Sequence, residues 1–137
     1  MDIVQLSPLA LKIWMDEGRA FRLLDVRTDE EAAICSLPDA VHIPMNLIPL
    51  RQNELPDDGV PLVVYCHHGI RSLHTAMYLA NAGFENLYNL QGGIDAWAVE
   101  IDGNMMRYRG GYFRRHSLNA CTCGVPKGRL KVQLLRS

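Results

Sequence analysis

Leu62-Val63-Val64-Tyr65-Cys66-His67-His68-Gly69-Ile70-Arg71-Ser72-Leu73 decides the fold. Leu62 to Tyr65 is a short apolar run rich in β-branched residues, the pattern of a strand covered on both faces. Pro61 stands just before it, where a missing N–H is tolerated. Beyond the loop, Leu73, Ala76, Met77 and Ala80 fall at helical spacing, and Gly83 supplies a stop. The stretch therefore reads as buried strand, tight loop and helix start, with Cys66 where the strand ends. Gly69 provides the φ freedom that such a backbone curl requires.

The chemistry expected of this geometry is specific. A loop curled over a helix N-terminus turns several backbone N–H groups inward, at the positive end of a macrodipole of roughly half a charge. Arg71 adds a permanent positive charge. A cysteine facing that cradle is expected to work as a thiolate beside a site for a small oxyanion. Read only as packing, Cys66 would be one more small buried hydrophobe. The Gly and Arg at these offsets argue for the nucleophile.

The flanking segments extend the pattern. Ser7-Pro8 opens a helix, Ser as N-cap and Pro in the first turn, and Gly18 ends it. Arg22 to Val26 is a predicted strand. Thr28 and Glu31 form a capping box that opens a short helix. Ala40 to Ile43 is another predicted strand, in which His42 reads as a packed or edge residue. Residues 44–61 are mostly loop, with one or two helical turns within Met45 to Arg51. Asn86 to Leu90 is a strand, Gly92-Gly93 a bend, and Ile94 to Ile101 a helix that turns Trp97 inward. Strands alternating with helices predict an α/β fold, a mainly parallel central sheet with helices on both faces. Ligands of such sheets bind at the carboxyl ends of strands, where Cys66 falls.

Three motifs together resemble single-domain rhodaneses, the rhodanese-like sulfurtransferases, over about residues 3–102. They are Leu23-Leu24-Asp25-Val26-Arg27, then Cys66-x-x-Gly69-x-Arg71-Ser72, then Gly92-Gly93-Ile94-Asp95-Ala96-Trp97. The resemblance implies a rhodanese-like fold and a cysteine that takes sulfane sulfur from thiosulfate or a persulfide donor. That sulfur is held as a persulfide and passed to a thiol or cyanide acceptor, with a protein partner as an alternative donor or acceptor. Cys66 is then the catalytic residue. His67, His68, Gly69, Ile70, Arg71 and Ser72 bind substrate, with Ser72 read most simply as an N-cap or loop-bracing hydroxyl and, in addition, as a donor to the cysteine sulfur. Asp25 and Arg27 brace the surrounding loops; read without the resemblance, they are a surface ion pair. The chain departs from the family at Cys35-Ser36-Leu37-Pro38-Asp39-Ala40, where relatives carry Gly-His-Ile-Pro-Gly-Ala.

His67 and His68 either lend positive charge to an anionic donor as pH falls towards about 6.5, or lie on a solvent-facing rim. No metal is expected, because adjacent residues on a tight loop rarely supply two of the three or four ligands required. No organic cofactor is implied. Two other classes are weighed against the enzyme. One is a non-enzymatic rhodanese-like sulfur carrier or regulatory module. The other is a phosphatase or arsenate reductase, in which five residues would separate Cys from Arg; here there are four.

Composition sets the outer limits. The 137 residues are 48% hydrophobic and 21% charged, ordinary for a globular protein. No apolar run is long enough to span a membrane, and the N-terminus lacks a signal-peptide layout. A cytoplasmic location is expected, where thiols stay reduced. The net charge of −1 hides a division: residues 1–103 carry all fifteen acids, and residues 104–137 carry eight Lys or Arg and no acid. The chain reads as a rhodanese-like domain, 1–103, followed by a basic C-terminal extension, 104–137. Arg107, Arg109, Arg114 and Arg115 interleave there with Tyr108, Tyr112 and Phe113. Nucleic-acid binding and a sulfur relay or metal site at Cys121, Cys123 and His116 are set below plainer readings. Those are an arm folded back on the acidic domain, an arm that makes a homodimer, or an added extension; Val132 to Leu135 is read as a strand within it.

Overall fold

A computed structural model describes residues 3–56 and 58–109, together with the backbone of 125–127 and 129–131. Five strands form one sheet: β1 (Val4–Leu6), β2 (Arg22–Asp25), β3 (Val41–His42), β4 (Leu62–Tyr65) and β5 (Leu87–Leu90), in the order β1-β5-β4-β2-β3. Every neighbouring pair is parallel. The helices are α1 (Pro8–Asp16), α2 (Asp29–Ile34), α3 (Ile48–Arg51), α4 (Ile70–Asn81) and α5 (Gly93–Glu100). Among the described residues no helix is long and apolar enough to cross a membrane. Two further short strands, β6 (Val125–Lys127) and β7 (Arg129–Lys131), pair antiparallel with each other. The strand read at Val132 to Leu135 and the residues Cys121, Cys123 and His116 lie outside the described residues.

Side-chain parity builds the two layers, because successive strand residues point to opposite faces. On one face Leu24, Val64, Cys66 and Leu87 pack with Ile48, Ala76 and Leu79, from α3 and α4. On the other, Leu6, Leu23, Val63, Tyr65 and Leu90 pack with Leu11, Trp14, Ile94 and Trp97, from α1 and α5. All four residues of β4 are buried, as its continuous apolar run requires. Burying each large side chain contributes roughly 1.5–3 kcal/mol, so this central strand, flanked on both sides, is a rigid mount for the loop that starts at Cys66.

The predicted elements appear with ends shifted by a residue or two, and two local readings change. β1 was not anticipated: its three residues, two of them exposed, are too few to show periodicity, and pairing with β5 makes it a strand. Gly69, not Ser72, is the N-cap of α4, with a left-handed φ of 98°. Thr28 and Glu31 do form the capping box of α2, but Glu31 has a second task at the site.

Candidate active site around Cys66

Cys66 follows β4 at the carboxyl edge of the sheet and is 1% exposed. Its Sγ accepts hydrogen bonds from Gly69 N at 3.1 Å and Ser72 N at 3.3 Å, with Ser72 Oγ also at 3.3 Å. Two amides and a hydroxyl converging on one sulfur form an arrangement that favours negative charge there.

The loop is held in this curl from behind. Ile94 N donates to Cys66 O at 2.9 Å and Asp95 N to His67 O at 3.1 Å. The first turn of α5 thus takes the loop carbonyls and leaves its N–H groups facing the sulfur. The approach demands glycine. A Cβ on Gly93, whose φ is 68°, would lie 2.2 Å from His67 O and 2.7 Å from Cys66 O. The Gly-Gly pair is therefore the contact surface between α5 and the cysteine loop, rather than a simple bend.

Ser72 is the third residue of α4, with its hydroxyl between Cys66 Sγ and Asn89 Oδ1, the latter at 2.5 Å. Strand parity puts Asn89 on the face of β5 that α4 covers. Its Nδ2 donates to Gln5 Oε1 and Gly69 O, both at 3.0 Å, which orients the amide so that Oδ1 faces Ser72. One hydroxyl has one proton, so Ser72 donates to Asn89 or to the sulfur at any moment. Asn89 was missed from the sequence; the available signal was a polar residue in a four-residue strand otherwise apolar or aromatic.

Arg71 does not point freely at the sulfur. Glu31 Oε1 accepts from Nη1 at 2.7 Å, and Oε2 from Nη2 at 2.9 Å. Burial opposes charge on Glu31, but the Arg71 bonds and the Thr28 backbone N–H outweigh it and bring its pKa down to about 2. The bonds to Glu31 likewise raise the pKa of Arg71.

Asp25 and Arg27 are not on the surface: they form a fully buried, bidentate pair, Nε to Oδ1 at 2.8 Å and Nη2 to Oδ2 at 2.6 Å. Arg27 also donates to Glu31 O at 3.2 Å and Cys35 O at 2.7 Å. Tyr65 OH donates to Asp25 Oδ2 and accepts from Leu37 N, both at 3.1 Å. The pair thereby ties the end of β2 to α2 and, through Tyr65, to the turn that departs from the family pattern. Asp39 in that turn adopts a left-handed φ of 62°. Burial pushes the Cys35 thiol up to about 11.

The two histidines separate. His68 is exposed, whereas His67 is 2% exposed and, among the described residues, neither ring nitrogen has a hydrogen-bond partner. Burial first, and the neighbouring His68 second, push the His67 pKa down to about 4. His67 is therefore neutral near pH 6.5 and does not lend charge there, and it is not a solvent-facing rim residue. Asp95 comes close, with one ligand atom from each of His67, His68 and Asp95 within 4.8 Å of the others. The two imidazoles are tilted against each other, centroids 3.9 Å apart and planes at 36°. Arg107 already takes both Asp95 oxygens at 2.8 and 3.0 Å, which leaves two adjacent imidazoles, fewer than the three or four ligands a site requires. The cluster does not fit a resident metal.

The comparisons with known proteins agree with this architecture. A profile described as "Rhodanese-like domain" matches residues 7–100. A protein of Allochromatium vinosum named "Sulfurtransferase" is 46% identical over 76 residues, 56% of this chain and 70% of the relative. A crystal structure of a rhodanese-like domain protein from Staphylococcus aureus superposes with a TM-score of 0.65 at 33% identity, covering 69% of this chain and 91% of the other. The human single-domain sulfurtransferase TSTD1 superposes with a TM-score of 0.60 at 25% identity, covering 72% and 98%. A five-stranded parallel sheet, a cysteine loop braced by a Gly-Gly helix start, and a family match over most of the chain lead to one assignment: the protein belongs to the rhodanese-like domain family.

Proposed function

We propose that the protein is a sulfurtransferase in which Cys66 carries the sulfur. The observation that supports it best is the set of donors around Cys66 Sγ, Gly69 N, Ser72 N and Ser72 Oγ, all within 3.3 Å. The Cys66 thiolate attacks the outer, sulfane sulfur of thiosulfate. A new S–S bond forms while the original one breaks, and its electron pair leaves on sulfite. The loop amides from His67 to Ser72 stabilise the charge on the persulfide, and the Arg71 guanidinium receives the departing anion. A thiol or cyanide then attacks the outer sulfur and restores the thiolate. A persulfide on another protein is chemically equivalent to thiosulfate as donor. Asp25 and Arg27 act on this chemistry by holding the loops in place.

Four residues separate Cys66 from Arg71, a smaller cradle than phosphoryl chemistry uses, so the outer sulfur of a persulfide suits it better. Intact-protein mass spectrometry tests the reading. Wild type treated with thiosulfate should gain one sulfur that cyanide removes, and Cys66→Ser should gain none. A wild-type protein that takes up no sulfur from thiosulfate or from a persulfide donor would favour a binding module with a silent cysteine.

A further inference from the structure

The family match ends at residue 100, but the chain continues across the site. After α5, Met105 N donates to Asp102 O at 3.1 Å in a turn, and Met105 packs against the core face that holds Trp97. Arg107 then pairs with Asp95 in the first turn of α5. Tyr108 comes next, its ring stacked on His67 with centroids 3.9 Å apart and planes at 13°. Its hydroxyl donates to Glu31 Oε2 at 2.9 Å and accepts from Arg27 Nη1 at 3.1 Å.

These contacts reach all three loops that surround Cys66 at the carboxyl edge of the sheet. Arg27 and Glu31 belong to the connection after β2, His67 to the cysteine loop, and Asp95 to the segment after β5. With the segment in place Cys66 is 1% exposed. The segment also touches the cradle. Glu31 Oε2 accepts from both Arg71 Nη2 and Tyr108 OH, so Tyr108 shares an acceptor with the arginine of the cysteine loop.

We infer that residues 104–109 are a strap over the Cys66 pocket and that Tyr108 selects sulfur donors by size. Closed, it admits a small inorganic donor and excludes bulky ones; a protein persulfide reaches Cys66 only once Tyr108 has been displaced. The donor preference rests on the sulfurtransferase reading, whereas the covering of Cys66 does not.

The test is the alkylation rate of Cys66 in the full chain, followed by peptide mass mapping with iodoacetamide and with the bulkier N-ethylmaleimide. Tyr108→Ala should raise the Cys66 rate about tenfold for iodoacetamide and further for the maleimide. Arg107→Ala, which removes only an exposed ion pair, should raise it about threefold, the effect expected for such a pair. Because that variant leaves the core untouched, a general loss of folding is separated from opening; thermal melts of both variants complete the control. In parallel, Tyr108→Ala should shift the ratio of rates for an aromatic thiosulfonate over thiosulfate about tenfold upward. Cys66 alkylation unchanged in both variants, or raised equally for both reagents in folded protein, would overturn the strap. Alkylation requires no sulfur transfer, so failure of the sulfurtransferase reading would appear separately, as absence of the persulfide.

Discussion

Glu31 grips both terminal nitrogens of Arg71, at 2.7 and 2.9 Å, from forty residues earlier in the chain. The pair fixes the guanidinium beside the cysteine loop at little cost in side-chain freedom, since both groups are already ordered by their own helices. In the proposed mechanism, catalysis then depends on a charge placed in advance. Arg71→Ala should lower kcat/KM for thiosulfate by about one to three decades. Arg71→Lys should recover little of it, because an ammonium cannot reproduce the two-pronged bond. Steady-state kinetics on the three proteins check this, and wild-type values in Arg71→Ala would sink the proposed role of the arginine.

The Ser72 hydroxyl lies between the sulfur and a buried amide oxygen and donates its one proton to either of them. Ser72→Ala should slow single-turnover persulfide formation by about a decade, as loss of one preorganised donor does at the mild end of its range. It should also cost about 1–3 kcal/mol of stability, because Asn89 Oδ1 loses its partner in the interior. Urea titration alongside rapid-mixing kinetics measures the two effects. A variant with normal kinetics but lowered stability would make the hydroxyl structural only.

Gly93 is where α5 meets the cysteine loop. Gly93→Ala puts a methyl against two carbonyl oxygens of the loop and imposes side-chain strain at positive φ, a combined cost of about 2–4 kcal/mol. The loop should shift away, so activity should fall further than the loss of stability accounts for. Gly103→Ala, where nothing lies within 4 Å of the added methyl, is the matched control and should behave as wild type.

His67 makes stability depend on pH with a definite sign. Its folded pKa of about 4 lies below the unfolded value of about 6.5. Between those limits the unfolded chain binds the extra proton, so stability falls as pH drops from 6.5 to 4 and this contribution levels off below. Glu31 extends the loss at lower pH. Its folded pKa is depressed to about 2, so the stability it contributes above its unfolded value disappears as pH falls through that range. His67→Phe keeps the stack on Tyr108 and removes the titration, so the Tm of the variant should vary less between pH 6.5 and 4. An identical slope in both proteins would assign the dependence to other groups.

Much of the site was legible because its instructions are local. Pro61, the β-branched run, Gly69 and the helical spacing after it lie within one short stretch, and each acts on its own neighbours. They are enough to place Cys66 between a buried strand and a helix N-terminus. The Thr28 and Glu31 capping box is equally local, three residues apart, and it forms as read. The second use of Glu31 was hidden by the first, since a satisfied cap gives no hint that the same carboxylate also reaches Arg71.

What the amino-acid order determined by itself, then, is the parallel α/β pattern, the position of Cys66 at a strand end and the curl of amides around it, because these arise from backbone preferences over a few residues. Tertiary structure alone decided the strand order β1-β5-β4-β2-β3, the partners of Arg71 and Ser72, and the fate of Tyr108. Ser72 and Asn89 are seventeen residues apart, Arg71 and Glu31 forty, Tyr108 and Glu31 seventy-seven. No periodicity encodes such separations; they are set when packing on the two faces of the sheet brings distant side chains into a region that excludes water, where each buried polar group must find a partner.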